Sequence, residues 1–349
     1  EMARLEDILI KEIDDKVLIY FEKLNHYLIT EVEHAEKDDF LEIAKEELNI
    51  QFPDKSFNSF SPASQTPLKF ESICYYNFHQ KIIRIRYQTA ELKLRIHPPF
   101  KHLEIEPDVH CIDEYKIFTK DDQYFLYNNQ SCIFQCVEKD FHYLTGKISM
   151  EILNQAYQTS DKDWLAVFHA GAVAWNTNAV MFVGDTGSGK STATALCLSA
   201  GMECISDDFV PLHKSGRLKL FPSGISIKQN SWEQKALQSF KLENEVAFNS
   251  NSKLQKVKYL DPGKLNYSRN YALKAVISIR FNPNVDLELK LLPKITFLSK
   301  LIPDTWTSPI RENVEILIDL LNSTPSLELQ YSNNKKFQTC IETILNEVK

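Results

Sequence analysis

An apolar run from Ala179 to Val183 ends in Gly184-Asp185-Thr186-Gly187-Ser188-Gly189-Lys190-Ser191-Thr192, and a segment of helical character, Ser191 to Ala200, follows at once. The order strand, glycine-rich loop, helix commits this stretch to an α/β arrangement, and the pattern G-x-x-x-x-G-K-[ST] commits the loop to phosphate. Glycines let the backbone turn tightly enough to aim several N–H groups at one point, and the positive end of the helix adds to the field there. In such a loop Lys190 contacts the β- and γ-phosphates and the Ser191 hydroxyl ligates Mg²⁺, so the expected ligand is ATP or a close relative. The bland alternative is a glycine-rich turn ahead of a helix. The chain has only 9 glycines in 349 residues, and at that composition the full pattern arises by chance in on the order of one such chain in several hundred.

A second apolar strand, Glu203 to Ser206, ends in Asp207-Asp208. Coming directly after the loop helix, it brings two carboxylates to the sheet edge that holds the phosphates. In phosphoryl transfer one carboxylate can hold the metal while another takes the proton of an attacking hydroxyl. Aspartates also cap turns after strands, which is the competing reading. The acids follow the loop more closely than in motor ATPases, which points to a kinase-type loop. Phe168-His169-Ala170-Gly171-Ala172-Val173 lies just upstream. A lone histidine is more often structural, but this one sits at a strand turn near the acids, where it can orient or polarise one of them. Charge developing on a transferred phosphate needs a cation. Lys228 and Arg280 are the candidates, although each taken alone reads more readily as a surface or structural charge.

The series His169-Ala-Gly-Ala-Val, apolar strand, Gly184 to Ser191, then Gly201-Met-Glu-Cys-Ile-Ser-Asp207-Asp208 resembles the catalytic domain of HPr kinase/phosphorylase. It is most similar to the HPr-kinase-related bacterial kinases, some of which act in peptide natural-product clusters. Phe221-Pro222 with Ile225-Ser226-Ile227-Lys228, and Ile279-Arg280-Phe281 with Leu289-Lys290-Leu291-Leu292, resemble the same subgroup. The resemblance spans roughly residues 165 to 345. It implies a nucleotide-binding core similar to that of phosphoenolpyruvate carboxykinase and a multimeric state. It also implies that Asp207 is the base supported by His169, with Asp208 near the metal. The glycine-rich signature that follows the acid pair in HPr kinase/phosphorylase is missing.

Three units are expected: residues 1–60 helical, 68–150 a mainly β module for substrate or regulation, and 151–349 the nucleotide-binding catalytic domain. The stripes Leu5, Ile8, Leu9, Ile13 and Phe40, Ile43, Ala44, Leu48 have helical spacing. Residues 50–67, rich in Ser, Pro and Asn, read as a boundary. Short β-prone runs follow at Ile82 to Tyr87, Leu92 to Ile96, Tyr115 to Thr119, Gln123 to Tyr127 and Cys132 to Val137, with Asp121 and Asp122 at a hairpin turn. Helical spacing returns over 138–168. Beyond the acids, strands are expected at Leu218 to Phe221 and Ile225 to Ile227, and a mobile polar stretch at Lys241 to Lys256. The tail reads as strands Ala275 to Phe281, Leu287 to Leu291 and Leu327 to Tyr331, with helices at Lys294 to Leu301, Glu312 to Leu321 and Lys335 to Val348.

A net charge of -7 argues against nucleic acid or an anionic membrane as main partner. No apolar run approaches the roughly 20 residues of a membrane span, and the first residues are acidic, so a cytoplasmic protein is expected. Seven cysteines (74, 111, 132, 136, 197, 204, 340) include no C-x-x-C pair, and buried thiols are the expectation. Three functions fit: an ATP-dependent kinase of a Ser or Thr hydroxyl on a small protein or precursor peptide, a kinase of a small-molecule hydroxyl, or a nucleotide-sensing module without turnover.

Overall fold

Ile8–Ile13, Lys16–Phe21 and His26–Glu31 pair as strands where helices are expected. The computed structural model describes residues 8–13, 16–21, 26–31, 68–79, 81–107, 113–233, 237–238, 240, 242–250, 253–302 and 305–347. Strands β1 (Ile8–Ile13), β2 (Lys16–Phe21) and β3 (His26–Glu31) form an antiparallel sheet. Leu9 and Ile13 fit a helical stripe, but the β-branched and aromatic run of Val17, Ile19, Tyr20 and Phe21 favours extended backbone. Tyr20 is fully buried in the core of the large sheet described below. The second helical stripe, Phe40 to Leu48, and the boundary at 50–67 lie outside the described residues.

The β module contains β4 (Ser72–Phe78), β5 (Lys81–Tyr87), α1 (Ala90–Ile96), β6 (Glu104–Ile105), β7 (Asp113–Lys120), β8 (Gln123–Asn128), β9 (Ser131–Val137) and α2 (Phe141–Tyr157). Its sheet runs β6-β4-β5-β7-β8-β9. β5 and β7 are parallel, joined through α1, and every other neighbour is antiparallel. Asp121 and Asp122 turn the β7–β8 hairpin with φ of 50° and 58°. Leu92 to Ile96 is helical rather than extended: Thr89 accepts a hydrogen bond from the Leu92 amide, and Leu92 and Ile96, four apart, are the buried residues. Along α2, Leu144, Ile148 and Ile152 pack on Tyr76, Ile83, Ile85, Tyr115 and Ile117. Helix α2 continues to Tyr157, across the expected limit at 150.

Next come β10 (Trp164–Phe168), β11 (Gly171–Trp175), β12 (Asn178–Val183), α3 (Lys190–Ser199), β13 (Glu203–Asp207), β14 (Val210–His213), β15 (Arg217–Leu218) and β16 (Ile225–Lys228). They are followed by β17 (Leu242–Ser250), β18 (Lys253–Leu260), β19 (Tyr271–Phe281), β20 (Leu287–Leu291), α4 (Lys294–Leu301), β21 (Thr305–Thr307), α5 (Arg311–Ser323), β22 (Ser326–Tyr331) and α6 (Asn334–Glu347). A mixed sheet runs β13-β11-β12-β19-β15-β14-β10-β21, with β22 against β19 and β20 against β22. Only β12–β19 and β19–β22 pair in parallel. Helices α3 and α6 cover one face through Leu196, Cys197, Phe337 and Ile341; α4 and α5 cover the other through Leu298, Val314, Leu317 and Ile318. Burial on both faces is why β12 reads as a continuous apolar run. The fold is thus mixed α/β.

Two expectations change here. Lys241 to Lys256 falls largely on the β17–β18 hairpin, which joins β16 in a three-stranded antiparallel sheet. Of Leu218 to Phe221 only Leu218 pairs as a strand, together with Arg217 before it. Among the described residues, no helix is long and apolar enough to cross a membrane. The six described cysteines are free; Cys74, Cys197 and Cys204 are buried, while Cys132, Cys136 and Cys340 are half-buried.

Candidate active site

The glycine loop leaves β12 at Gly184 and enters α3 at Lys190. Gly184 has a φ of +143°, and a Cβ there would lie 2.8 Å from Ser188 Oγ and 3.1 Å from Ile279 O, so dihedral and space both exclude a side chain. Gly189, with φ of 108°, opens α3 without a side-chain cap. The first-turn amides, which a Ser or Asp cap would engage, stay available to an outside anion. Lys190 is 6% exposed. Its Nζ donates to Gly184 O at 2.7 Å and Asp185 O at 3.5 Å, which sets the ammonium inside the curl of the loop. The Phe281 amide donates to Ser188 O at 3.3 Å and ties the loop to β19.

β11 lies between β12 and β13, and its pairing sets Gly171 opposite Asp207. That register places the β10–β11 turn, with His169, beside the acid pair. The two acids then part. Asp207 is 2% exposed; its Oδ2 accepts from the Ser226 amide at 3.0 Å and the Ser226 hydroxyl at 3.2 Å, and its Oδ1 is buried with no hydrogen-bond partner. Burial, reinforced by the charge of Asp208, pushes the Asp207 carboxyl up to about 8. Asp208 takes the left-handed backbone conformation, φ 65°, which aspartate tolerates better than most residues. Its side chain is 44% exposed, with Oδ1 3.8 Å from His169 Nε2, and its Oδ2 lies 3.3 Å from Ser226 Oγ. Ser226 Oγ is also 3.2 Å from Ser191 Oγ, so one hydroxyl links the loop serine with both acids.

Lys190, Ser191, His169, Asp208 and Ser226 open on a cleft of about 460 Å³. Thr186, Gly187, Gly189, Lys190, Ser191 and Thr192 form one wall; His169 and Asp208 stand on a second. Ser226, Lys228, Asn230, Ser231, Val257 and Tyr259 form a third, and Phe281 and Tyr331 close an end. Burial and the two acids hold the Tyr259 hydroxyl well above its ordinary range. Lys228 therefore lines the cleft with the loop. Arg280 is exposed on β19 and is not among the lining residues; its neighbour Phe281 is. His169 faces Asp208, with Nε2 3.8 Å from its Oδ1.

Sequence reasoning misses Ser226, Ser231, Tyr259 and Phe281. For Ser226 a signal exists: in Ile225-Ser226-Ile227-Lys228 the polar residues alternate with buried isoleucines, so Ser226 and Lys228 share a face. Ser231 meets Thr192 Oγ1 at 3.2 Å, a contact across 39 residues that no local pattern announces. Comparison with models of known protein families gives no match, and comparison with curated proteins gives none either.

Proposed function

We propose that the protein is a kinase that transfers the γ-phosphoryl group of ATP to a Ser or Thr hydroxyl of a small protein or precursor peptide. The core would be a P-loop fold of the phosphoenolpyruvate-carboxykinase-like type, related to HPr kinase. One observation carries this reading: the loop with Lys190 and the His169–Asp208 pair open into the same cleft. The cleft volume, about 460 Å³, suits a nucleotide.

Magnesium fits the oxygen donors beside the loop. The unpartnered Asp207 Oδ1 and the Ser191 hydroxyl are hard ligands of the kind Mg²⁺ takes. When bound, the ion neutralises charge on the β- and γ-phosphates. The resemblance gives proton acceptance to Asp207 and the metal to Asp208. Exposure favours the reverse: Asp208 stands in the cleft where an acceptor hydroxyl can reach it, whereas Asp207 is buried beside the loop serine Ser191.

In this assignment the acceptor hydroxyl loses its proton to Asp208 as its oxygen forms the new P–O bond. The bond from the γ-phosphorus to the bridging oxygen breaks, and that electron pair leaves on ADP. His169, facing the Asp208 carboxylate at 3.8 Å, would orient it toward the acceptor. Lys190 and Lys228 meet the charge that spreads over the transferring group. Incubation of the full chain with γ-labelled ATP, Mg²⁺ and Ser- or Thr-containing acceptors should give acceptor-bound phosphate that disappears in Asp208→Asn. Nucleotide binding with no turnover across those acceptors would overturn the kinase reading in favour of a nucleotide sensor.

A further inference from the structure

Away from the cleft, three side chains of metal-ligating type converge in the β module. Cys74 on β4, His97 just past α1 and Glu104 on β6 each offer one ligand atom, all within 4.8 Å of one another. Cys74 is 1% exposed and His97 8%; Glu104 stands at the surface. Glu104 Oε2 is 3.8 Å from His97 Nε2. Tetrahedral zinc with these ligands sets neighbouring ligand atoms about 3.5 Å apart, so the His–Glu edge is near metal dimensions and the widest edge must close by about an ångström.

The other imidazole nitrogen is engaged. His97 Nδ1 lies 2.7 Å from the Tyr76 hydroxyl, which lies 2.9 Å from the Tyr87 hydroxyl, and both tyrosines are fully buried. With Nδ1–H donating to Tyr76, the Nε2 lone pair is left for a cation, as in metal sites where an outer partner fixes the histidine tautomer. Register brings the set together: β6 pairs with β4, with Tyr76 opposite Glu104. That is why residues 74, 97 and 104 show no motif spacing.

We propose that Cys74, His97 and Glu104 form a zinc site, its fourth position taken by water from the Glu104 side. Thiolate, imidazole and carboxylate together select zinc over Mg²⁺ or Ca²⁺. Lys93 and Lys101 lie near His97 and offset part of the ligands' negative charge, so binding rests on the sulfur and nitrogen donors rather than on bulk attraction. The ion would clip the segment after α1 to β4, and none of the three ligands lines the nucleotide cleft.

The test uses the full chain and the metals alone. Purified protein should hold about one zinc per chain. Cobalt(II) should give a thiolate-to-metal charge-transfer band that a chelator removes, that Cys132→Ser keeps and that Cys74→Ser loses. Tyr76→Phe should lower zinc affinity about 10-fold in competition with a chromophoric chelator, by loosening the ring it positions. Zinc well below one equivalent after exposure to the ion, with no charge-transfer band in the unmodified protein, would overturn the site whether or not the variants fold. So would equal zinc content in folded Cys74→Ser and unmodified protein.

Discussion

Among the described residues a histidine faces a carboxylate at 3.8 Å twice: His169 with Asp208 in the cleft, and His97 with Glu104 in the β module. The separation is the same and the surroundings are opposite. The cleft pair is 43% and 44% exposed, at a strand turn and a left-handed residue where an outside molecule can reach both groups. The module pair has its histidine 11% exposed, with one ring nitrogen held by a buried tyrosine. One arrangement suits proton exchange with a visiting hydroxyl; the other suits holding something fixed. Access and the groups behind the pair, not the pair itself, separate the two uses.

The largest expected effect separates the pairs by chemistry. Asp208→Asn should lower acceptor phosphorylation by about 10²–10⁴-fold, the usual size of a general-base contribution, with ATP affinity changed only a few-fold. Glu104→Gln should leave the same assay unchanged. Asp207→Asn should raise the Mg²⁺ concentration needed for half-maximal rate. If Asp207→Asn instead removed transfer at every Mg²⁺ concentration while Asp208→Asn shifted only the Mg²⁺ requirement, the roles would revert to those the resemblance implies. Steady-state rates across a Mg²⁺ series distinguish the two outcomes.

The second contrast concerns pH. Burial raises the Asp207 carboxyl to about 8 and lowers the His97 imidazole to about 4. Between the ordinary carboxyl range near 4 and about 8, the folded chain holds a proton on Asp207 that the unfolded chain lacks, so this group's stabilisation fades as pH rises through that window. His97 acts in reverse. Between its ordinary value near 6.5 and about 4 the unfolded chain binds the extra proton, so stability is lost as pH falls. From about pH 4 to 6.5 the two slopes oppose each other, and from there to about 8 the Asp207 slope stands alone, so thermal melts in chelator should be nearly flat at first and then fall. Asp207→Asn should remove the fall above pH 6.5, and His97→Gln should extend it down to about pH 4; an unchanged profile in either variant would remove that group as its cause.

Legibility in the sequence divides along the same line. The loop, the helix after it and the acid pair lie within 25 consecutive residues, and each is dictated by local chemistry: glycines at φ values other residues avoid, then a strand ending at the sheet edge. The part of the third wall on β18, Val257 and Tyr259, is illegible because β17 and the start of β18 carry Asn, Ser, Lys and Glu, which read as loop, while β18 gains order from pairing with β16 on one side and β17 on the other. At Leu92, Leu94 and Ile96 the alternation suggests a strand, yet Leu94 is 58% exposed and the Thr89 cap starts a helix. The cluster of Cys74, His97 and Glu104 depends wholly on strand register, which no single segment encodes.

A smaller effect probes the shape of the loop. Gly184→Ala forces a Cβ to 2.8 Å from Ser188 Oγ at a φ of +143°. The strain is about 1–3 kcal/mol, visible as a lower denaturation midpoint and, because Ser188 must move, as weaker nucleotide binding. A change of the same kind in the β module, Gly146→Ala, meets nothing within 4 Å on α2 and should be neutral or slightly stabilising.

The smallest expected effect compares two helix starts. Helix α1 begins at Thr89, whose hydroxyl accepts from the Leu92 amide at 3.3 Å; α3 begins at Gly189 with no side-chain acceptor at all. The first helix end is satisfied by the protein, and the second is left for an anion. Thr89→Ala should therefore cost about 1 kcal/mol of stability, measured by denaturant titration, and leave phosphoryl transfer unchanged. It exposes one first-turn amide but disturbs nothing in the cleft. If Thr89→Ala altered ATP affinity as strongly as it altered stability, α1 would be coupled to the cleft, and the division between a positioning module and a reacting core would fail.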